Sequence, residues 1–315
     1  MRFRKDTQGS VAVLALWTAL ILAFLAVALA QSAQQKTVFF RHLRAKALAR
    51  TLVDSAVKKT VADIQAAPIS LQETATGREW YYEVLGKPQH FAMGEGSADF
   101  EMEDENSKIN LNKAGADELS NLFYFAGHMN TNEAVQLAEA VLDFRDTDDF
   151  VTEEYSGSEK GDYRQAGLGY DPKNRDFEYI QELLLVKGVT KELYGSVNAS
   201  ITVYGNGRVN INTCLKQTLQ ALGAEASLAD KILEMRKKGF IFKDVSTLSK
   251  DLSRSYSLSD AENASLRHLI VQRKLSVTSD HFALDGRAHI DEPPFSSHFH
   301  CVYGVMVGIR YWAED

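Results

Sequence analysis

The chain has 315 residues, 45% of them hydrophobic and 24% charged, which suits one or two globular domains and excludes a low-complexity or disordered protein. Its formal net charge is −7, and the part beyond the basic N-terminal region is more acidic still, which argues against a general polyanion binder. Two cysteines, Cys214 and Cys301, leave room for one intramolecular disulfide or for two reduced core thiols.

The chain opens on a basic head containing Arg2, Arg4 and Lys5, followed by Gly9-Ser10 and then by Val11 to Ala30, where only Thr18 is polar. A bilayer core takes about 20 apolar helical residues, so this run predicts a transmembrane helix, and the basic head favours a cytoplasmic N-terminus with the rest of the chain exported. A secretory signal peptide is the alternative, since Ala28-Leu29-Ala30 supplies a cleavage pattern before Gln31. Against it, signal-peptide apolar cores run about 7–15 residues. Nothing from Ser10 to Ala67 is Gly or Pro, which allows about 85 Å of unbroken helix. After Gln35 the apolar residues Val38, Phe39, Leu43, Leu48, Leu52, Val53, Val57, Val61 and Ile64 recur near helical spacing among Arg41, Arg44, Lys46, Arg50, Lys58 and Lys59, so the second half is amphipathic.

Beyond Pro68, Glu79–Leu85, Ser97–Glu103, Leu269–Thr278, Ala288–Ile290 and Cys301–Trp312 read as strands. A long helical stretch separates them. The expected fold is α+β: a long N-terminal helix packed on an antiparallel sheet, with a large α-helical insertion. The boundaries expected are a leader at 1–9, a membrane half-helix at 10–31, an amphipathic half at 32–67, a β domain at 68–109 and 270–315, and the insertion at 110–269.

The insertion repeats itself. Lys108-Ile-Asn110-Leu-Asn112-Lys-Ala114 recurs as Arg208-Val-Asn210-Ile-Asn212-Thr-Cys214, with Asn112 and Asn212 placed to cap the helices that follow. Glu118–Gly127 then Ala134–Phe144, and Thr218–Gly223 then Leu228–Lys238, are the helix pairs, and Glu182–Tyr194 is a third fragment of the same type. This pattern resembles the helix-hairpin-helix, a module that holds DNA phosphates on backbone N–H groups. The hairpin's second Gly is absent, however, and Glu225 stands where a phosphate would approach, leaving Arg236, Lys237 and Lys238 as the best basic cluster. Structural packing or protein contact is therefore preferred to nucleic-acid binding.

Asp143, Asp146, Asp148 and Asp149 lead into a loop with Glu153, Glu154, Glu159 and Asp162. Carboxylates this close need solvent or a cation, and calcium takes about 6–8 oxygens from flexible loops. The eight histidines are scattered; His281, His298 and His300 could be ligands, but without clustered partners surface or core roles are the preferred reading. No catalytic constellation has credible context, so a structural component is expected rather than an enzyme.

A basic leader ending in Gly, a charge-free span and an unbroken amphipathic continuation resemble a type IV prepilin N-terminus. That resemblance implies cleavage by a prepilin peptidase between Gly9 and Ser10, N-methylation of Ser10, and an apolar half-helix packed in a filament. Most pilins carry Glu at the fifth mature position; here that position is Leu14.

The motifs Asn110-Leu-Asn112-Lys-Ala114, Asp143-Phe-Arg-Asp146-Thr-Asp148, Gly157-Ser-Glu159 before Tyr163, Glu182–Thr190 and Val209–Thr213 occur in this order over essentially the whole chain. Together they resemble the minor pseudopilin K of type II secretion systems. The resemblance implies a pilin-like fold with the helical insertion and a calcium ion, with Asp143, Asp146, Asp148, Asp149 and Glu159 as candidate ligands. It also implies a place at the tip of a periplasmic filament, a position with which Leu14 is consistent. Its implied partners are other minor pseudopilins, the major pseudopilin, the prepilin peptidase, membrane lipid and the inner-membrane assembly platform. Phe144 stands where the family usually has Trp. A membrane-anchored DNA receptor and an anchored adaptor unrelated to pili are the other readings of these residues.

Overall fold

The computed structural model describes residues 8–66, 85–147 and 160–314. Most of the leader, the expected strand residues 79–84, and Asp148, Asp149 and Glu159 lie outside the described residues.

Helix α1, Gln8–Ala66, runs 59 residues without a break, about 90 Å. Its internal hydroxyls turn back onto carbonyls one turn earlier, as Thr37 Oγ1 does onto Ala33 O at 2.9 Å, so they do not interrupt it. Residues 11–44 are exposed on every side. Contact with the rest of the protein begins at Ala45, and Ala49, Leu52, Val53, Ala56, Val57 and Val61 follow at helical spacing as a buried stripe.

That stripe packs on a five-stranded antiparallel sheet of order β1-β2-β7-β8-β9. The strands are β1 Gln89–Met93, β2 Gly96–Asp104, β7 His281–Ile290, β8 Phe295–Gly304 and β9 Gly308–Glu314. Along β2 the alternation is clean: Ala98, Phe100 and Met102 enter the core, while Asp99, Glu101 and Glu103 face out. Gly286 of β7 is required by close approach, since a Cβ there would collide with Phe100 and the Asp99 carbonyl.

Two strand expectations are corrected. Residues 269–271 close a helix, Asp260–Val271, because Ser259 and Glu262 form a capping box that starts it and Leu266 and Leu269 bury at helical spacing. Only Leu275–Ser276 of that stretch pairs, and it does so outside the main sheet. The run from Cys301 to Trp312 is two strands, folded back between Gly304 and Gly308, with Gly308 at φ +76°.

Between β2 and β7 the chain forms two copies of one unit with a shared core. Each copy opens on a two-residue strand that pairs in parallel with the strand closing the same copy. Ile109–Asn110 (β3) pairs with Ile201–Thr202 (β4), and Val209–Asn210 (β5) with Leu275–Ser276 (β6). The first copy carries helices Ala116–Phe125 (α2), Thr131–Arg145 (α3), Lys160–Gln165 (α4) and Lys191–Val197 (α5). The second carries Lys216–Ala221 (α6), Ala226–Lys237 (α7), Leu248–Ser255 (α8) and Asp260–Val271 (α9).

The repeated asparagines do not cap these helices. Gly115 and Leu215 hold the N-cap positions, and the asparagines instead fasten each copy across its width. Asn112 clamps the Phe177 backbone, accepting from its N–H at 2.8 Å and donating to its carbonyl at 2.9 Å. Asn212 does the same to Phe242 at 2.9 Å in both directions. Asn110 and Asn210 accept from the N–H groups of Asn112 and Asn212 at 2.8 and 3.0 Å.

Candidate functional site

The N-terminal helix supplies the first functional feature. Among the described residues it is the one helix long and apolar enough to cross a membrane, with a window of mean hydropathy 2.7, none of it buried within the protein. Leu14 projects from it 65% exposed, so the uncharged side chain at this position meets whatever surrounds the helix rather than the protein's own head. Gly9 and Ser10 fall in its first turn.

The second feature is the acidic end of α3. Asp143 sits in the last full turn with no exposure, and Asp146 is the C-cap residue, its N–H donating to Leu142 O at 2.9 Å. A carboxylate removed from water near the negative end of a helix dipole calls for compensating positive charge or donors. Asn174 is brought alongside by its N–H, which donates to Phe144 O at 2.9 Å, and Phe144 stacks on Phe177 at 5.2 Å. The chain thus places two of the five expected calcium ligands one turn apart, Asp143 buried in the first copy and Asp146 half-buried at the helix end. Among the described residues no group of three His, Cys, Asp or Glu is gathered as a metal centre. The other three candidates belong to the segment outside the described residues that leaves this helix end. The carboxylates of Asp143 and Asp146 are oxygen donors of the kind a hard divalent cation takes.

A third feature has no local signal in the sequence. Where β2 ends, Asp104 is 4% exposed and accepts from Ser279 Oγ and Thr213 Oγ1, each at 2.5 Å, from Asn106 N at 2.9 Å and from Asn210 Nδ2 at 3.3 Å. Burial raises its pKa above the ordinary carboxylate value, and these four hydrogen bonds oppose the rise. Glu105 takes Thr202 Oγ1 at 2.5 Å and Lys108 Nζ at 2.7 Å. Asn106 Oδ1 accepts from the N–H groups of Asp280 and His281 at 3.0 and 2.9 Å. The two chain crossings between sheet and insertion are therefore tied to each other and to both copies.

The remaining sequence candidates resolve as follows. Arg236 donates to Cys214 O at 2.5 Å and Lys238 pairs with Glu234 at 2.6 Å, so two of the three cations of the basic cluster are engaged internally. The Gly223 turn is also covered: Ser265 Oγ accepts from Glu225 N at 2.9 Å and donates to Gly223 O at 3.0 Å. Arg145 plays the part of Arg236 in the first copy, donating to Leu111 O and, at 2.6 Å, to Ala114 O. The disulfide is not formed: Cys214 is a free cysteine in the insertion core and Cys301 a free cysteine in the sheet core. Burial pushes both thiols up to about 12.

Comparison with known proteins gives matches to a family model and to solved structures. Residues 104–206, the first copy with its root, match the family described as Type II secretion system (T2SS), protein K. A chain of the crystal structure of the GspK-GspI-GspJ complex from the enterotoxigenic Escherichia coli type 2 secretion system has the same fold, with TM-score 0.59 and 19% sequence identity. That alignment covers 90% of this chain and 96% of that one. A search of curated proteins returned no match.

Proposed function

We propose, from the match of residues 104–206 to the family described as type II secretion system protein K, that this chain is a minor pseudopilin of that kind and caps a periplasmic pseudopilus. The observation carrying this reading is the union of a free, membrane-length helix with a head whose sheet is interrupted by two stacked helical units. A helix exposed on all sides over residues 11–44 needs surroundings, which lipid supplies before assembly and the helices of other subunits after it. The bulk of the insertion would crowd any subunit stacked above, while Leu14 brings no carboxylate to meet a neighbour's terminal amine. Both features favour the last position in a filament.

On this reading the protein is anchored once in the bacterial inner membrane, N-terminus in the cytoplasm and head in the periplasm. The prepilin peptidase cuts between Gly9 and Ser10, and Ser10 is methylated. The similar chain comes from a complex of GspK with GspI and GspJ, and the corresponding minor pseudopilins are the partners we infer here, with the major pseudopilin below them and the assembly platform at the base. Asp143 and Asp146, joined by Asp148, Asp149 and Glu159, hold calcium and so fix the chain leaving α3. No step of chemistry is assigned, and the role is structural.

Co-expression with the two companion minor pseudopilins of the same system, followed by sizing in detergent, tests the assignment. A stable complex with one copy of this chain supports it. Failure to associate with either companion would contradict it.

A further inference from the structure

The open face of the main sheet holds a second ligand-bearing cluster, remote in sequence from the acidic end of α3. His298 and His300 are two apart on β8, so strand alternation sets both rings on one face. Asp285 of β7 lies directly opposite His300. Its Oδ1 is 3.1 Å from His298 Nε2 and its Oδ2 is 3.3 Å from His300 Nδ1. On the other side of Asp285, its direct cross-strand partner is Glu101 of β2, and both carboxylates are exposed. Like charges so placed destabilise an antiparallel pair unless a cation comes between them. All four side chains line one groove of about 700 Å³, which Asp99, Glu103 and Arg287 also border. Arg287 is opposite Asp99 and His298 in register, so carboxylates outnumber the permanent cation around the groove. Tyr311 packs edge-on against His300 at 5.7 Å and holds that ring towards Asp285.

We propose that His298, His300 and Asp285, with Glu101 beside them, bind a divalent transition-metal ion of the zinc or nickel type. Imidazole with carboxylate is the donor set such ions take, whereas calcium prefers oxygen alone. A tetrahedral ion with bonds of about 2.0–2.1 Å holds its donors about 3.3 Å apart, which is the spacing of the two histidine–aspartate contacts. The three donors are not yet gathered round one point, since each ring addresses a different oxygen of Asp285. The His298 side chain is 41% exposed and has room to turn, and the proposal requires it to move until both rings face one oxygen. The ion takes the place of the ring protons shared with Asp285, relieves the repulsion with Glu101, and ties β2, β7 and β8 together.

The test uses full-length, untagged protein in detergent, stripped with chelator and titrated separately with Zn²⁺ and Ca²⁺ while thermal unfolding is followed. Co²⁺ serves as a visible-absorption probe. The expected result is a saturable rise in melting temperature with Zn²⁺ and tetrahedral cobalt bands, as for a ligand bound only by the folded state. Both are lost in His298→Ala and in His300→Ala, while the metal-free melting temperature and any calcium response are kept. Zinc binding that survives in the double variant, or no saturable binding to the wild type, would overturn the proposal.

Discussion

Single residues carry two predictions. Asp104 is a buried acid whose pKa is raised mainly by desolvation, so its contribution to stability is complete below the unfolded value of about 3.9 and is lost as pH rises through the folded value. Asp104→Asn removes that titration. In chemical denaturation its stability relative to wild type should improve steadily as pH is raised from about 4, and a pH-independent difference would refute the assignment. Asp104→Ala strands Ser279, Thr213 and Asn210 and should cost about 2–4 kcal/mol. Asp143 and Asp146 carry the calcium reading. Calcium should raise the melting temperature of the purified protein and Asp146→Ala should blunt that rise, whereas identical curves with calcium and with chelator would return these residues to a purely structural role.

At this scale the sequence was legible as pattern more than as role. The paired asparagines were visible because they recur, but their use as clamps depends on Phe177 and Phe242, which the local reading of helix starts did not reach. Asp104 gave no local sign because Ser279 is 175 residues away. His298 and His300 stand out in the sequence as a spaced pair, and their partner Asp285 does not, since only strand register brings it opposite.

At the scale of elements, the long helix was the most readable part, because the absence of Gly and Pro and the helical spacing of apolar residues are both local signals. The register at which it meets the head was less so: packing starts at Ala45, well after the amphipathic pattern begins, and leaves Phe39 and Phe40 exposed. The stretch 269–278 misled for the reason that a short branched run suits a helix end and a strand equally. The helix also carries a prediction about maturation. N-terminal sequencing of the protein extracted from membranes should begin at N-methylated Ser10 and retain the apolar span; a start at Gln31 would mean removal of the span by signal peptidase and would end the filament reading.

For the whole molecule, the duplication explains why the insertion folds as one body. The two copies share a hydrophobic core, α2 of the first lies against α6 of the second, and Asn121 reaches Ala221 O across them at 3.4 Å. The family profile, ending at residue 206, covers the first copy and stops before the second. On the proposed reading, the bulk of this double unit beside the sheet ends a filament rather than repeating within one. The most direct measurement is to label the head in assembled pseudopili and count copies by electron microscopy. The account predicts one label per filament, at one end. Labels spaced along the shaft would contradict it.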